Sequence, residues 1–181
     1  MESIYREHNH IYFHAEIDRQ TISQLCVQLR KADEECILMA HRMRIENVPI
    51  YLHIDSDGGC VPSAFAAVDV LHDCRSPVYS VVEGAAASAG TIISVACEKR
   101  YIRPKGMMLI HQMSSSWGGK MAELTDEYNN LKDLTKIIKA HYLEYTRLNS
   151  KKLEQLLSHD LYLDATQCLE YGLVDELYQS R

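Results

Sequence analysis

The sequence has no C-x-x-C pair, no long apolar run and no excess of positive charge. Its six cysteines (Cys26, Cys36, Cys60, Cys74, Cys97 and Cys168) are scattered. That scatter reads as reduced cytosolic thiols rather than a disulfide framework or a zinc site. No apolar stretch approaches the roughly 20 residues of a membrane span, and the start MESIYREHNH lacks a signal-peptide pattern. With 19 Lys and Arg against 25 Asp and Glu, the net charge is -6. Phosphate binding relies on clustered cations, so this balance disfavours nucleic acid or an anionic membrane as the main partner. Only 8 Gly and 4 Pro occur, with no repeat, low-complexity tract or linker. A chain of 181 residues then reads as one soluble, cytoplasmic domain with a core of its own.

What is present is an alternation of short β-rich runs with helical ones, which predicts an α/β fold with mostly parallel strands. Ile11-Tyr12-Phe13 makes a first strand. Asp18 and Thr21 are N-cap candidates for a helix carrying Ile22, Leu25, Cys26 and Leu29 at helical spacing. Residues 50–54 read as a buried strand broken by Ser56-Asp57-Gly58-Gly59, and Pro62 suits the first turn of a helix with Ala66, Val70 and Leu71 inward. A strand over 78–82 leads into the turn EGAAASAG and a helix through Ile92 and Val95. Further strands are expected around Tyr101-Ile102 and over 107–110. After an irregular segment at 114–119, a long helix over 122–145 lines up Leu124, Tyr128, Leu131, Leu134, Ile138, Tyr142 and Tyr145. That stripe reads first as a core face and second as a surface buried against another subunit. Asp164-Ala165-Thr166-Gln167 resembles a capping box for a short helix ended by Gly172.

Three of these features can carry chemistry. Ala86-Ala87-Ser88-Ala89-Gly90 is a variant of the nucleophile-elbow pattern, in which small neighbours allow a crowded strand-to-helix turn and the hydroxyl points outward near free helix N–H groups. Read locally, the same stretch is also a small-residue turn where a helix packs on a sheet. Gly58-Gly59 follows another strand C-terminus, at the edge where open α/β sheets place their sites, and can either hold unusual dihedrals for an oxyanion or simply turn the chain. His111 ends the strand over 107–110, where it is either a structural residue or the base that a serine needs. His8, His10 and His14 read as an accidental grouping rather than a metal site. Asp160 and Asp164 can each orient a histidine or cap a helix, and the residues alone leave that choice open.

Taken together, the segments resemble the proteolytic subunit of the Clp protease over nearly the whole chain. The resemblance rests on Ile54-Asp55-Ser56-Asp57-Gly58-Gly59, on residues 84–90, on Leu109-Ile110-His111-Gln112, and on His159-Asp160 followed by Ala165 and Glu170-Tyr171-Gly172-Leu173-Val174-Asp175. It implies a ClpP/crotonase-type α/β fold: one domain over 1–181, with a head of about 1–112 and 147–181 and a handle of about 113–146. The family's triad order carries over as Ser88, His111 and Asp160, with Asp164 on the helix-cap position and the backbone N–H groups of Gly59 and Ala89 as oxyanion donors. Substrate backbone would lie along Gly58, Cys60, Val61, Gln112, Met113 and Ser114. The resemblance further implies a serine endopeptidase without metal or organic cofactor, cutting peptides or unfolded polypeptide inside stacked heptameric rings.

Departures from the family pattern are Asp57 and Met113 in place of prolines, and Glu83 and Ala85 in place of an apolar residue and a glutamine. Few residues precede the first strand, so the expectation is a peptidase that acts without an AAA+ unfoldase or meets one through another subunit of a mixed ring, in the cytoplasm, a host cell or an organelle stroma. Two alternatives stand beside it. One is a Ser-Lys protease of the signal-peptide-peptidase or phage prohead type, with Lys99 or Lys105 beside Ser88. The other is a catalytically silent, ring-forming subunit.

Overall fold

The computed structural model describes residues 3–116 and 118–179, so Trp117 of the expected irregular segment lies outside the described residues. The chain opens with a hairpin, β1 (Ile4–Glu7) and β2 (His10–Phe13), paired antiparallel. Helix α1 (Arg19–Met43) follows, and its cap is Asp18: the carboxylate accepts from Thr21 N–H at 2.7 Å while Thr21 Oγ1 accepts from Asp18 N–H at 3.0 Å. Its inward stripe is the expected Ile22, Leu25, Cys26 and Leu29, extended by Ala32, Cys36 and Ala40.

Two β–α units come next: β3 (Ile50–Ser56) with α2 (Val61–Asp73), then β4 (Val78–Ala87) with α3 (Ala89–Val95). Strands β5 (Lys99–Ile102) and β6 (Met107–Leu109) precede the long helix α4 (Met121–Tyr145). The chain closes with α5 (Ser150–Leu157), β7 (Leu163–Asp164), α6 (Ala165–Glu170) and β8 (Glu176–Leu177). The sheet runs β1-β2-β3-β4-β5-β8, parallel from β2 to β8. Off that path, β6 pairs parallel with the far end of β4, and β7 pairs antiparallel with β6.

One face of the sheet is the core. Ile11, Phe13, Ile50, Leu52 and Ile54 are 0–2% exposed there, under α1, α2 and α3. The alternate residues face the other way and form an aromatic layer in which Tyr12 stacks on His53 at 4.4 Å and Tyr51 meets Tyr79 and Tyr178 edge-on.

Three expectations need correction. Strand β4 does not turn at Val82; it runs on to Ala87, and the turn is one residue, Ser88. Between the pairs Ile54–Val82 and Ser56–Ala86, β4 carries three residues against a single one on β3, a bulge made by Gly84 at φ +73°. Asp55 satisfies the displaced backbone by accepting from Ala85 N–H at 3.0 Å. In α2 the buried set is Ala64, Ala67, Val68, Val70 and Leu71, while Ala66 faces outward. In α4 only Ile138, His141 and Tyr142 are buried, whereas Leu124 and Tyr128 are 37% and 65% exposed. Only the first turns of the stripe are therefore no core face of this subunit; Leu134, Ile138, Tyr142 and Tyr145 further along pack on the core as the periodicity indicates.

Candidate active site

Ser88 occupies a sharp strand-to-helix turn with φ 52° and ψ -122°, a conformation that costs a non-glycine residue about 1–3 kcal/mol. The surrounding bonds hold it there. Its N–H donates to Leu109 C=O of β6 at 2.8 Å, and its C=O accepts from Thr91 N–H at 3.0 Å and Thr91 Oγ1 at 2.6 Å. The small neighbours follow from the same crowding. A Cβ on Gly58 would lie 2.7 Å from Ser88 Cβ, and Gly90 sits against Ser56 C=O.

Gly59 is the second fixed point. Its φ is +140°, and a side chain there would collide with Ile17 C=O. The flanking bonds Ile17 N–H to Gly58 C=O and Cys60 N–H to Ile17 C=O, both 2.7 Å, clamp the glycine as an extra rung of the sheet. Neither Gly59 N–H nor Ala89 N–H donates in any turn, loop or cap hydrogen bond of the described residues.

His111 lies two residues past β6, and Gln112 N–H donates to Leu157 C=O at 2.8 Å, which ties this segment to α5. Its Nδ1 meets Asp160 Oδ1 at 3.0 Å. An ionised carboxylate only accepts, so Nδ1 carries the proton and a neutral imidazole keeps its lone pair on Nε2. The pair is open to water: the side chains are 27% and 77% exposed. Among the described residues no hydrogen bond joins Ser88 Oγ to His111.

Ser88 and His111 line one cleft of about 770 Å³ together with Gly58, Gly59, Cys60, Val61, Gln112, Met113 and Ser114. Ala89 is buried behind Ser88, and Asp160 reaches the cleft only through His111. Asp164 caps α6, its carboxylate accepting from Gln167 N–H at 2.9 Å. No lysine lines the cleft among the described residues; Lys99 pairs with Glu176 at 3.0 Å on β5. No group of three or more His, Cys, Asp or Glu able to hold a metal occurs among the described residues. The sequence reading missed His14 as a cleft residue; it lines the cleft, its buried Nε2 has no partner among the described residues, and one of the rings it packs against, Tyr5, comes from across the β1–β2 hairpin. It also missed the tie from Thr91 to Tyr142, 51 residues away.

The fold and cleft together define an α/β protein with a strained serine facing a histidine–carboxylate pair. The family comparison is more specific. The family model described as Clp protease matches residues 1–181, and the chain belongs to the Clp protease family. It is 33% identical over 135 residues to the ATP-dependent Clp protease proteolytic subunit 2 of Treponema pallidum, covering 74% of this chain and 68% of that protein. The protein of the same description from Treponema denticola matches to the same extent.

Proposed function

We propose that this chain is a serine endopeptidase in which Ser88 is the nucleophile, His111 the general base and Asp160 the residue that holds the imidazole. The observation that carries this reading is the shared cleft: a serine on a strained, hydrogen-bonded turn, and a histidine whose Nδ1 is committed to a carboxylate so that Nε2 is the basic atom. As Ser88 Oγ attacks a peptide carbonyl, His111 Nε2 takes its proton and later delivers it to the leaving amine, and water then releases the acyl group. Charge developing on the carbonyl oxygen meets the N–H groups of Gly59 and Ala89. Substrate backbone runs along Gly58, Cys60 and Val61 on one side and Gln112, Met113 and Ser114 on the other.

The same reading extends to assembly. The first turns of α4 expose Met121, Leu124 and Tyr128 at 78%, 37% and 65%, on a helix whose later turns pack on the core, which supports a covering surface on another copy. We assign residues 113–146 as the handle through which copies of this chain stack ring on ring around an inner chamber. The absence of lysine from the cleft lining among the described residues favours the histidine base over a Ser-Lys dyad.

The test is hydrolysis of a short fluorogenic peptide. Ser88→Ala and His111→Ala should each lower kcat/KM by about 10³-fold or more, with Tm within about 2 °C of the parent. Turnover surviving in His111→Ala contradicts the assigned base, and an inactive parent chain contradicts the enzymatic reading.

A further inference from the structure

Helix α4 returns to the core at its last turns and there touches the turn that presents Ser88. Tyr142 is 2% exposed, and its hydroxyl lies 2.5 Å from Thr91 Oγ1, itself fully buried. Thr91 Oγ1 lies 2.6 Å from Ser88 C=O. Counting protons fixes the direction. A carbonyl can only accept, so Thr91 spends its one proton on Ser88, and the proton between Thr91 and Tyr142 belongs to the tyrosine. The relay runs from Tyr142 O–H to Thr91 O–H to Ser88 C=O. One residue earlier on α4, His141 Nε2 meets Ile92 C=O at 2.9 Å and fixes α4 against α3.

The far end of that relay is the important one. Ser88 C=O belongs to the same rigid peptide plane as Ala89 N–H, and the two point in opposite directions. Holding the carbonyl therefore aims the N–H. Hydrogen bonds in series also polarise one another, so a carbonyl pulled by Thr91 leaves its amide N–H a stronger donor. We propose that Thr91 and Tyr142 are positioning residues that aim and polarise Ala89 N–H as the oxyanion donor, and so connect the seating of α4 to the strength of the oxyanion hole. This rests on Ser88 being the nucleophile. Both residues act on the transition state, where charge reaches the oxygen, and not on ground-state peptide.

Four variants test it: Tyr142→Phe, Thr91→Val, the double variant and Thr91→Ser. Each single apolar change leaves one buried hydroxyl short of a partner and lowers stability; replacing both by apolar groups of the same shape restores most of it. Kinetics on a fluorogenic peptide should show kcat lowered about tenfold in both single variants and in the double variant, smaller than the 10²–10³-fold loss of a donor itself. KM should stay within about twofold, inhibition by a peptide boronate should weaken in step with kcat, and Thr91→Ser should keep the parent kcat. A double variant whose kcat returns to that of the parent along with its Tm overturns the proposal, because the relay would then be structural only. Single variants with unchanged kcat overturn it equally. Ser88→Ala cleaving as fast as the parent would instead sink the underlying assignment of the nucleophile, an outcome none of the four variants can produce.

Discussion

Two histidine–carboxylate pairs in this molecule have the same local geometry and opposite surroundings. His53 Nδ1 meets Glu83 at 3.0 Å, and His111 Nδ1 meets Asp160 at 3.0 Å. The first is saturated. His53 is 2% exposed, its Nε2 faces His10 Nδ1 at 2.9 Å, and Glu83 Oε1 also accepts from Arg103 Nε and Nη2 at 3.0 and 2.8 Å. Arg103 in turn covers the ring of Tyr178. The second pair has nothing on Nε2 among the described hydrogen bonds, and that atom belongs to a side chain lining the cleft beside Ser88. A histidine held by a carboxylate is thus only half a catalytic device. What the other ring nitrogen faces decides between a structural clamp and a base.

Altering each pair separately sharpens that contrast. The largest effect is expected at Asp160. Asp160→Asn keeps the shape but removes the charge and permits the wrong tautomer of His111, so kcat should fall about 10⁴-fold, with Tm within about 2 °C because the carboxylate is exposed. The converse change is His53→Ala, which leaves His10 Nδ1 without its partner and opens a gap under the aromatic layer. A buried network losing one member costs about 1–3 kcal/mol, so Tm should drop by roughly 2–12 °C at this chain length while kcat of the folded enzyme stays within about twofold. If Asp160→Asn lowers Tm and His53→Ala lowers kcat, the contrast is reversed and the assignment of roles is wrong.

The smallest expected effect is a pH dependence of stability. Burial pulls the pKa of His53 below its ordinary 6.5, against the opposing pull of Glu83. Burial pushes Glu83 up, but the hydrogen bonds from Arg103 and the proximity of His53 outweigh it and hold the carboxyl below 4.5. The unfolded chain therefore protonates His53 first, and stability present above about pH 6.5 is lost as the pH falls from there towards the lower native value. The Glu83 contribution follows, lost as the pH falls from 4.5 through its depressed native pKa. Thermal melts from about pH 7.5 to about pH 3 should decline in two stages in the parent, and His53→Gln should shrink the upper one, to which His10 and His141, also held below 6.5 by burial, contribute the remainder. An upper stage of equal size in both proteins would show that His53 is not among the titrating groups.

The alternation of β and α was legible because apolar periodicity and caps are local. Asp18 and Asp164 both cap the helices that their spacing indicated. The bulge at Gly84 was not legible, since it exists only in the register between β3 and β4, and so β4 was ended five residues early. The point along α4 where the core ends, between Tyr128 and Leu134, was not legible, because periodicity reports an apolar face without reporting what covers it. At the cleft, the sequence pointed to Ser88, Gly59 and His111 through strand ends, and the chain brings those ends together at the edge of the sheet. The choice of Asp160 over Asp164 came from family resemblance alone; the residues by themselves did not distinguish them. Tyr142, Thr91 and the His53–Glu83 clamp stayed hidden because each joins residues 30 or more positions apart with no motif to announce it.

The central claim is that Ser88 is a nucleophile activated by His111. Its most direct measurement is treatment of the purified chain with a fluorophosphonate, followed by mass spectrometry of the proteolytic fragments. A single adduct on Ser88, formed in the parent and lost in His111→Ala, is the predicted result. An adduct on a different residue, or labelling of Ser88 at the same rate without His111, would contradict the claim.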